Sequence, residues 1–297
     1  MDNLLYFICG PTASGKTDLS VSLASALHTD VLSFDSRQFF KEMSIGTAVP
    51  TDKEMGGVKH HFIHQRSIKD DYNAGIFETE AIALLTDLFK TKKQIVAVGG
   101  SGLYLDALTK GFVEMEAIPN EIRSELNALF KNEGIDALRL LLSKKDPEYF
   151  KMVDVHNPHR LIRALEVIEY TGGKFSKQRK HQAKKRSFKW KKFAIEWDRS
   201  ILYERIDLRV LKMIDNGLIK EVESLLPFRD HRALASVGYQ ELFDYLDGTI
   251  SLDTAIELIQ RNSRRYAKRQ LTWLRRDSEV IWLKADETKQ MIKSILT

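Results

Sequence analysis

Residues 10–17 read GPTASGKT, that is Gly10, Pro11, Thr12, Ala13, Ser14, Gly15, Lys16 and Thr17. The spacing G-x-x-x-x-G-K-[ST] is the one that cradles a phosphate. Gly10 and Gly15 allow a tight turn in which successive backbone N–H groups point inward at an anion. A helix that starts at the loop adds unpaired N–H groups and a partial positive charge. Lys16 supplies an ammonium, and Thr17 a hydroxyl suited to a phosphate-bound Mg²⁺. The apolar run LLYFIC precedes the loop and DLSVSLASALH follows it, so strand, loop and helix stand in the required order. The loop establishes phosphate or pyrophosphate binding, not nucleotide hydrolysis.

The elements that must position this loop alternate over the first hundred residues. LLYFIC, DVLSF and QIVAVGG have strand character, and AGIFETEAIALLTDLFKTKK has helical periodicity. This alternation predicts an α/β fold: a parallel sheet with helices on both faces, of the phosphate-loop NTPase-like kind. Ligands of such sheets bind beyond the carboxyl ends of the strands. The strands stop at Gly10, Asp35 and Gly99, so these three places should meet at one cleft. From Pro119 to Gly172 the signals are helical, with Asn157 as an N-cap, Pro158 in the first turn and Gly172 as the stop. FAIEW at 193–197 reads as a returning strand. A helix broken near Asn216-Gly217, a long helix from Leu252 and a last strand EVIWLKA follow. The expected organisation is a core of residues 1–113 and 193–297 around a helical insertion of residues 114–192.

Bulk composition narrows the classes. The chain has 297 residues, 43% hydrophobic and 29% charged, as in ordinary soluble domains. No apolar run reaches the length of a membrane span, and the acidic N-terminus does not resemble a signal peptide. One cysteine, Cys9, excludes an intrachain disulfide, and a cytoplasmic location is expected. Net charge is only +5, but residues 174–193 carry ten Lys or Arg and no acid, and residues 261–276 carry seven and no acid. Two such blocks point to a polyanion larger than a nucleotide. Arg261, Arg264, Arg265, Lys268 and Arg275 recur at helical steps, which predicts one basic stripe gripping phosphates without reading sequence.

In chain order, GPTASGKT is followed by FDSRQFFKEMSIGTAVP, VGGSGLYL, PHRLIRALEV, SVGYQEL and AKRQLTWLRR. This series resembles the tRNA dimethylallyltransferases over nearly the whole chain. The resemblance implies transfer of a dimethylallyl group from its diphosphate to N6 of the adenosine 3′ of the anticodon, with Mg²⁺. It implies that Asp35 is the general base; by spacing alone Asp35 could equally cap a helix or stand behind a metal. It implies catalytic roles for Thr17, Ser101 and Arg209, with the diphosphate held by residues 10–17 and Arg205, one turn before Arg209. Ser101 stands where the family more often has threonine. The resemblance places tRNA contacts at Asp35, Ser36, Arg37, Gln38, Ser101 and Arg123, and at His159, Arg160, Leu161, Ile162 and Arg163. It places others at Ala235, Ser236, Val237, Gly238, Tyr239 and Gln240. The last helix adds Lys268, Arg269, Gln270, Leu271, Thr272, Trp273, Leu274 and Arg275. The basic block 174–193 would be a clamp that orders on tRNA, and a monomer is expected.

His156-Asn157 replaces the family's Asn-Asp, and Asn157 can still cap. His60, His61 and His64 are poorly spaced for a closed metal site. Two other readings remain. A phosphate-loop kinase normally ends a later strand with a metal-holding Asp, where this chain has Gly99-Gly100. An adenylate isopentenyltransferase acting on AMP would share the cleft but has no use for two basic blocks.

Overall fold

The computed structural model describes residues 3–112, 118–178, 184–285 and 288–296. It divides into one unit of residues 1–110 with 185–297 and a second of residues 111–184.

The larger unit opens with β1 (Leu4–Cys9), α1 (Lys16–Ala26), β2 (Val31–Ser33), α2 (Asp52–Met55) and β3 (His60–His61). It continues with α3 (Ala74–Leu88), β4 (Gln94–Gly99) and α4 (Gly102–Thr109). The smaller unit holds α5 (Asn120–Lys145), α6 (Pro147–Phe150), α7 (Pro158–Thr171) and α8 (Phe175–Gln178). The chain returns as β5 (Lys189–Glu196), α9 (Arg199–Asp215) and α10 (Leu218–Ser224). Then come α11 (Tyr239–Leu246), α12 (Leu252–Leu274), β6 (Val280–Lys284) and α13 (Thr288–Leu296).

The sheet has the order β3-β2-β4-β1-β5-β6, all parallel. Leu5 to Cys9 of β1 are all buried, as expected of a central parallel strand covered on both faces. Tyr6 and Ile8 pack with Leu19 and Leu23 of α1 and with Phe193 and Ile195 of β5. The register sets Cys9 beside Gly99 on one side and Ala194 on the other. β1 and β4 therefore end at one level while β5 runs on to Glu196, and the loops after them share one edge of the sheet. β3 has only two residues and no periodicity to betray it.

The smaller unit is helical. Asn157 caps α7, its side chain accepting from the Arg160 N–H at 3.2 Å, and Gly172 ends it at φ 68°. Gly134 (φ 77°, ψ −173°) breaks the helical path of α5. Leu126, Leu138, Leu142, Leu161, Ile162 and Leu165 form this unit's own core.

The return strand begins at Lys189, four residues before the expected FAIEW. Its first half, Lys189-Trp190-Lys191-Lys192, reads as a basic loop, yet it pairs with Leu4 to Phe7. Lys192, with 3% of its side chain exposed, is neutralised by Asp277 at 2.7 Å and Glu279 at 2.8 Å. Arg186 is likewise spent within the core. It pairs with Glu78 at 2.9 Å, both side chains 6% exposed, and donates to the carbonyls of Ala107 and Leu108. These residues of the first basic block are structural and not part of a clamp; residues 179–183 lie outside those described.

A buried ion pair tolerates the loss of both partners better than the loss of one. Arg186→Met should destabilise the protein by about 3–5 kcal/mol, because it removes a buried guanidinium that pairs with the Glu78 carboxylate, and adding Glu78→Leu should recover much of that. Urea unfolding of the single and double variants measures this; equal stability of the two would refute it.

Candidate active site

The phosphate loop has the backbone its glycines allow. Gly10 lies at φ 152° and Gly15 at φ 87°, and a Cβ on Gly10 would stand 2.8 Å from the Ser14 hydroxyl. Helix α1 starts at Lys16, so its first N–H groups face the loop. The loop is braced at three points, two of them on its outer side. Trp197 Nε1 donates to the Ser14 carbonyl at 3.0 Å, and Arg205 Nε to the Ala13 carbonyl at 2.9 Å. The Arg205 guanidinium also stacks over the Trp197 ring, 4.4 Å from its centroid. On the inner side the Thr12 N–H donates to Gln270 Oε1 at 3.0 Å.

Lys16 folds back and donates from Nζ to the Pro11 carbonyl at 2.7 Å. Burial lowers its pKa to about 8, and the nearby Arg209 pushes in the same direction, while Asp35 opposes both. Burial also lowers the pKa of Arg209, against the pull of Asp35 and Glu54. Lys16, Arg209 and Asp35 thus form one electrostatic group contributed by α1, α9 and the end of β2.

The segment after β2 is tightly specified. The Asp35 N–H donates to Ser33 Oγ at 3.3 Å, and Asp35 Oδ1 accepts from the Arg37 N–H at 3.0 Å. Ser101, after β4, accepts from the Ser36 N–H at 3.0 Å and donates to Ser36 Oγ at 3.1 Å. The Tyr266 hydroxyl bonds to the same Ser101, and burial pushes that phenol up to about 12. Ser101 therefore positions the Asp35 segment from below.

These groups surround a cavity of about 350 Å³. Its polar lining includes Thr12, Lys16, Thr17, Asp35, Arg209 and Tyr266. Its apolar lining includes Ile206, Val210, Met213, Leu218 and Ile259, with the loop Gly46–Ala48 and Pro50 beside them. One wall can hold an anion and another a hydrocarbon. Of the three strand ends expected to converge, Asp35 and Gly99 line this space; Gly10 does not, but Thr12 of the loop that follows it does.

Residues assigned to tRNA contact fall into two classes. Ser36, Arg37, Gln38, Ala235, Ser236, Val237, Gly238, Arg269 and Gln270 line the cavity. Gln240, Lys268, Thr272 and Arg275 are exposed, as are Arg261 and Arg265. In the smaller unit His159, Arg160 and Arg163 are exposed, and Arg123 pairs with Glu166 at 3.2 Å. Others are corrections. Tyr239 is fully buried and its hydroxyl donates to Glu221, so it offers no surface. Leu161 and Ile162 are core residues, and Leu274 is 4% exposed. Leu271 packs on Leu202, Ile206 and Ala267, and Trp273 abuts Gly102. Gln270 is a brace between loops. Arg264 leaves the basic stripe to pair with Asp207 at 2.5 Å.

Tyr266 escaped the sequence reading because it stands inside a basic run. A second periodicity would have found it: Ile259, Ser263, Tyr266 and Gln270 recur at steps of four, three and four, and all line the cavity. The histidines separate. His60 Nδ1 meets the Val58 carbonyl, His61 Nε2 meets Asp30, and His64 Nε2 meets Ser44 Oγ. Among the described residues no group of three His, Cys, Asp or Glu could hold a metal ion.

Comparison with known proteins places this cavity in context. The family model for IPP transferase matches residues 38–277. A tRNA dimethylallyltransferase of Christiangramia forsetii is 49% identical over 98% of this chain and 97% of its own length. One of Flavobacterium psychrophilum is 44% identical over 97% and 96%. The crystal structure of the full-length tRNA isopentenylpyrophosphate transferase of Bacillus halodurans superposes with a TM-score of 0.73. It is 37% identical, over 99% of this chain and 94% of that one. A phosphate loop, the carboxylate at the end of β2 and a cavity walled by both charge and hydrocarbon thus stand in a chain that belongs to the IPP transferase family.

Proposed function

We propose that this protein transfers a dimethylallyl group from dimethylallyl diphosphate to N6 of the adenosine 3′ of the anticodon in tRNA, acting as a monomer in the cytoplasm. The observation that carries the reading is the single cavity that joins Lys16, Arg209 and Asp35 to the apolar side chains of Ile206, Val210, Met213, Leu218 and Ile259. A nucleotide-hydrolysing site has no use for that hydrocarbon wall.

The phosphate loop of residues 10–17, the Lys16 ammonium and the Arg209 guanidinium take the diphosphate. Arg205 holds the loop's shape through Ala13 and adds positive charge outside it. Mg²⁺ fits this donor set, because it binds through few protein ligands when phosphate oxygens are present. The Thr17 hydroxyl would hold it, with the Asp35 carboxylate nearby in the same lining, and the ion would neutralise charge growing on the leaving group. N6 of the adenine attacks C1 of the prenyl chain, and a C–N bond forms as the C1–O bond breaks with its electron pair passing to diphosphate. The N6 proton passes to Asp35. Ser101, fixed to Ser36, keeps that carboxylate in register.

Exposed polar side chains would hold the RNA: Arg261, Arg265 and Lys268 on α12 with Arg275 just past its end, and His159, Arg160 and Arg163 in the smaller unit. Contacts of this kind set register on phosphates. The target base must leave its stack to reach the cavity. Among the described residues no helix is long and apolar enough to cross a membrane.

Asp35→Ala should lower the rate of transfer by about 10²–10⁴-fold while changing prenyl diphosphate affinity little. Mass spectrometry of nucleosides from unmodified tRNA, incubated with Mg²⁺ and dimethylallyl diphosphate, reads the added group on adenosine. Product at the wild-type rate in the variant would remove Asp35 as the base. Product on AMP and none on tRNA would replace the substrate.

Lys16 supplies a pH test. Its pKa in the free protein is lowered to about 8, and a bound diphosphate favours the ammonium and raises it. Between the two values the complex holds more protons than the free protein, so affinity should weaken as pH rises through that window. Calorimetric titration in buffers of different ionisation enthalpy, about one pH unit above the free value, should show proton uptake approaching one per site. Lys16→Met should abolish it; equal uptake in both proteins would assign the proton elsewhere.

A further inference from the structure

The loop carrying Gly46, Thr47, Ala48 and Pro50 lines the cavity without belonging to any strand or helix. One carboxylate holds it in shape. Glu221, in the first turn of α10, accepts at Oε2 from the N–H of Ser44 (2.9 Å) and of Ile45 (2.7 Å). At Oε1 it accepts from the Gly46 N–H (2.9 Å) and the Tyr239 hydroxyl (2.7 Å). Three successive N–H groups converging on one point make an anion nest, and here the anion is a side chain. Tyr239 fills the space beside Gly46 so closely that a Cβ there would stand 2.6 Å from its ring.

The far end of the loop is tied to the base. Gln38 Nε2 donates to the carbonyls of Ala48 (3.0 Å) and Thr47 (3.4 Å), and its Oε1 accepts from Ser33 Oγ at 3.2 Å. Ser33 Oγ also accepts from the Asp35 N–H. A continuous polar chain thus runs from Glu221 through the loop to Asp35. The apolar lining belongs to the same packing unit, since Val210, Leu218 and Ile259 cluster with Tyr239 in one core.

We infer that Glu221 is a positioning residue that fixes the loop wall of the prenyl pocket and so restricts it to a five-carbon chain. A cavity of about 350 Å³ excludes a longer chain only if its walls cannot yield. A loop with no ladder of its own would yield, and this carboxylate satisfies three of its N–H groups at once. The inference rests on the prenyl-transfer reading, because it assigns the apolar lining to the prenyl tail.

The test is the affinity of the full chain for dimethylallyl and geranyl thiodiphosphates, titrated without RNA in the presence of Mg²⁺. Glu221→Gln keeps the volume but turns an NH₂ group toward N–H donors. It should weaken the five-carbon ligand about tenfold and shift the geranyl-to-dimethylallyl affinity ratio by about tenfold toward geranyl. Tyr239→Phe removes one donor and leaves the fold's packing, and should move the ratio the same way by about threefold. In steady state, KM for the prenyl substrate should rise in both variants, with KM for tRNA within about twofold of wild type. An unchanged ratio in Tyr239→Phe together with an unchanged or unfolded Glu221→Gln would overturn the inference. Because the ratio is read by binding, failure of wild type to modify tRNA would instead count against the transfer reading.

Discussion

One primary amide links the parts that make the site. Gln270 of α12 accepts from the Thr12 N–H in the phosphate loop and donates to the Gly100 carbonyl after β4, at 3.0 and 2.9 Å. The approach is closed to any side chain on Gly100, where a Cβ would meet Gln270 Nε2 at 2.2 Å. An amide suits this place because it offers an acceptor and a donor in one rigid plane. The parallel sheet brings the loops to one edge, but sheet register alone leaves their tips free. Gln270 ties two of those tips to the helix whose next turn carries Tyr266, and Tyr266 reaches Ser101. The position of Asp35 thus depends on α12 through Ser101 and Ser36, and that of the loop on α12 directly.

The sheet and the loop were legible in the sequence for a physical reason. Buried parallel strands are unbroken apolar runs, and LLYFIC and QIVAVGG announce themselves. Gly10 and Gly15 take positive φ angles that few other residues adopt, so their spacing carries backbone geometry directly. The strand ends at Asp35 and Gly99 followed from topology. What was not legible depends on partners far along the chain. Gln270 and Thr12 are 258 residues apart, and Lys192 and Asp277 are 85 apart. No local pattern distinguishes Gln270 the brace from a surface glutamine, or Lys192 the buried cation from its exposed neighbours. Glu221 lay within a helix read only as broken near Asn216-Gly217.

The basic residues show how far composition can be trusted. The two acid-free blocks suggested a polyanion, and part of that inference rests on cations whose charge is already met. Arg186 and Lys192 are neutralised inside the core, and Arg264 pairs with Asp207. Of the expected stripe, Arg261, Arg265 and Lys268 remain on α12 and Arg275 just past its end, at steps of four, three and seven, still one face of a helix. The stripe is narrower than the sequence implied and more regular. Removing Arg264 from it costs no continuity, because Arg265 holds the same level.

The charges within the cavity follow a different rule from those on the surface. Burial and Arg209 both work against the charged form of Lys16, and Asp35, with Cys9 behind it, works for it. Arg209 is held the same way, with Asp35 and Glu54 opposing its burial. Such an arrangement is unfavourable to folding, since desolvated cations without full compensation reduce stability. It is favourable to catalysis of a displacement at carbon. A leaving diphosphate gains negative charge at the bridging oxygen as the bond breaks, and cations already desolvated and oriented need no reorganisation when that charge appears. The loop around them is therefore braced through its backbone, by Trp197 and Arg205 on the outer side and Gln270 on the inner, rather than by ion pairs within the cavity. Braces on the backbone hold the geometry and leave the cations' charge for the ligand, and this division explains why Arg205 bonds a carbonyl while Arg209, one turn on, lines the cavity.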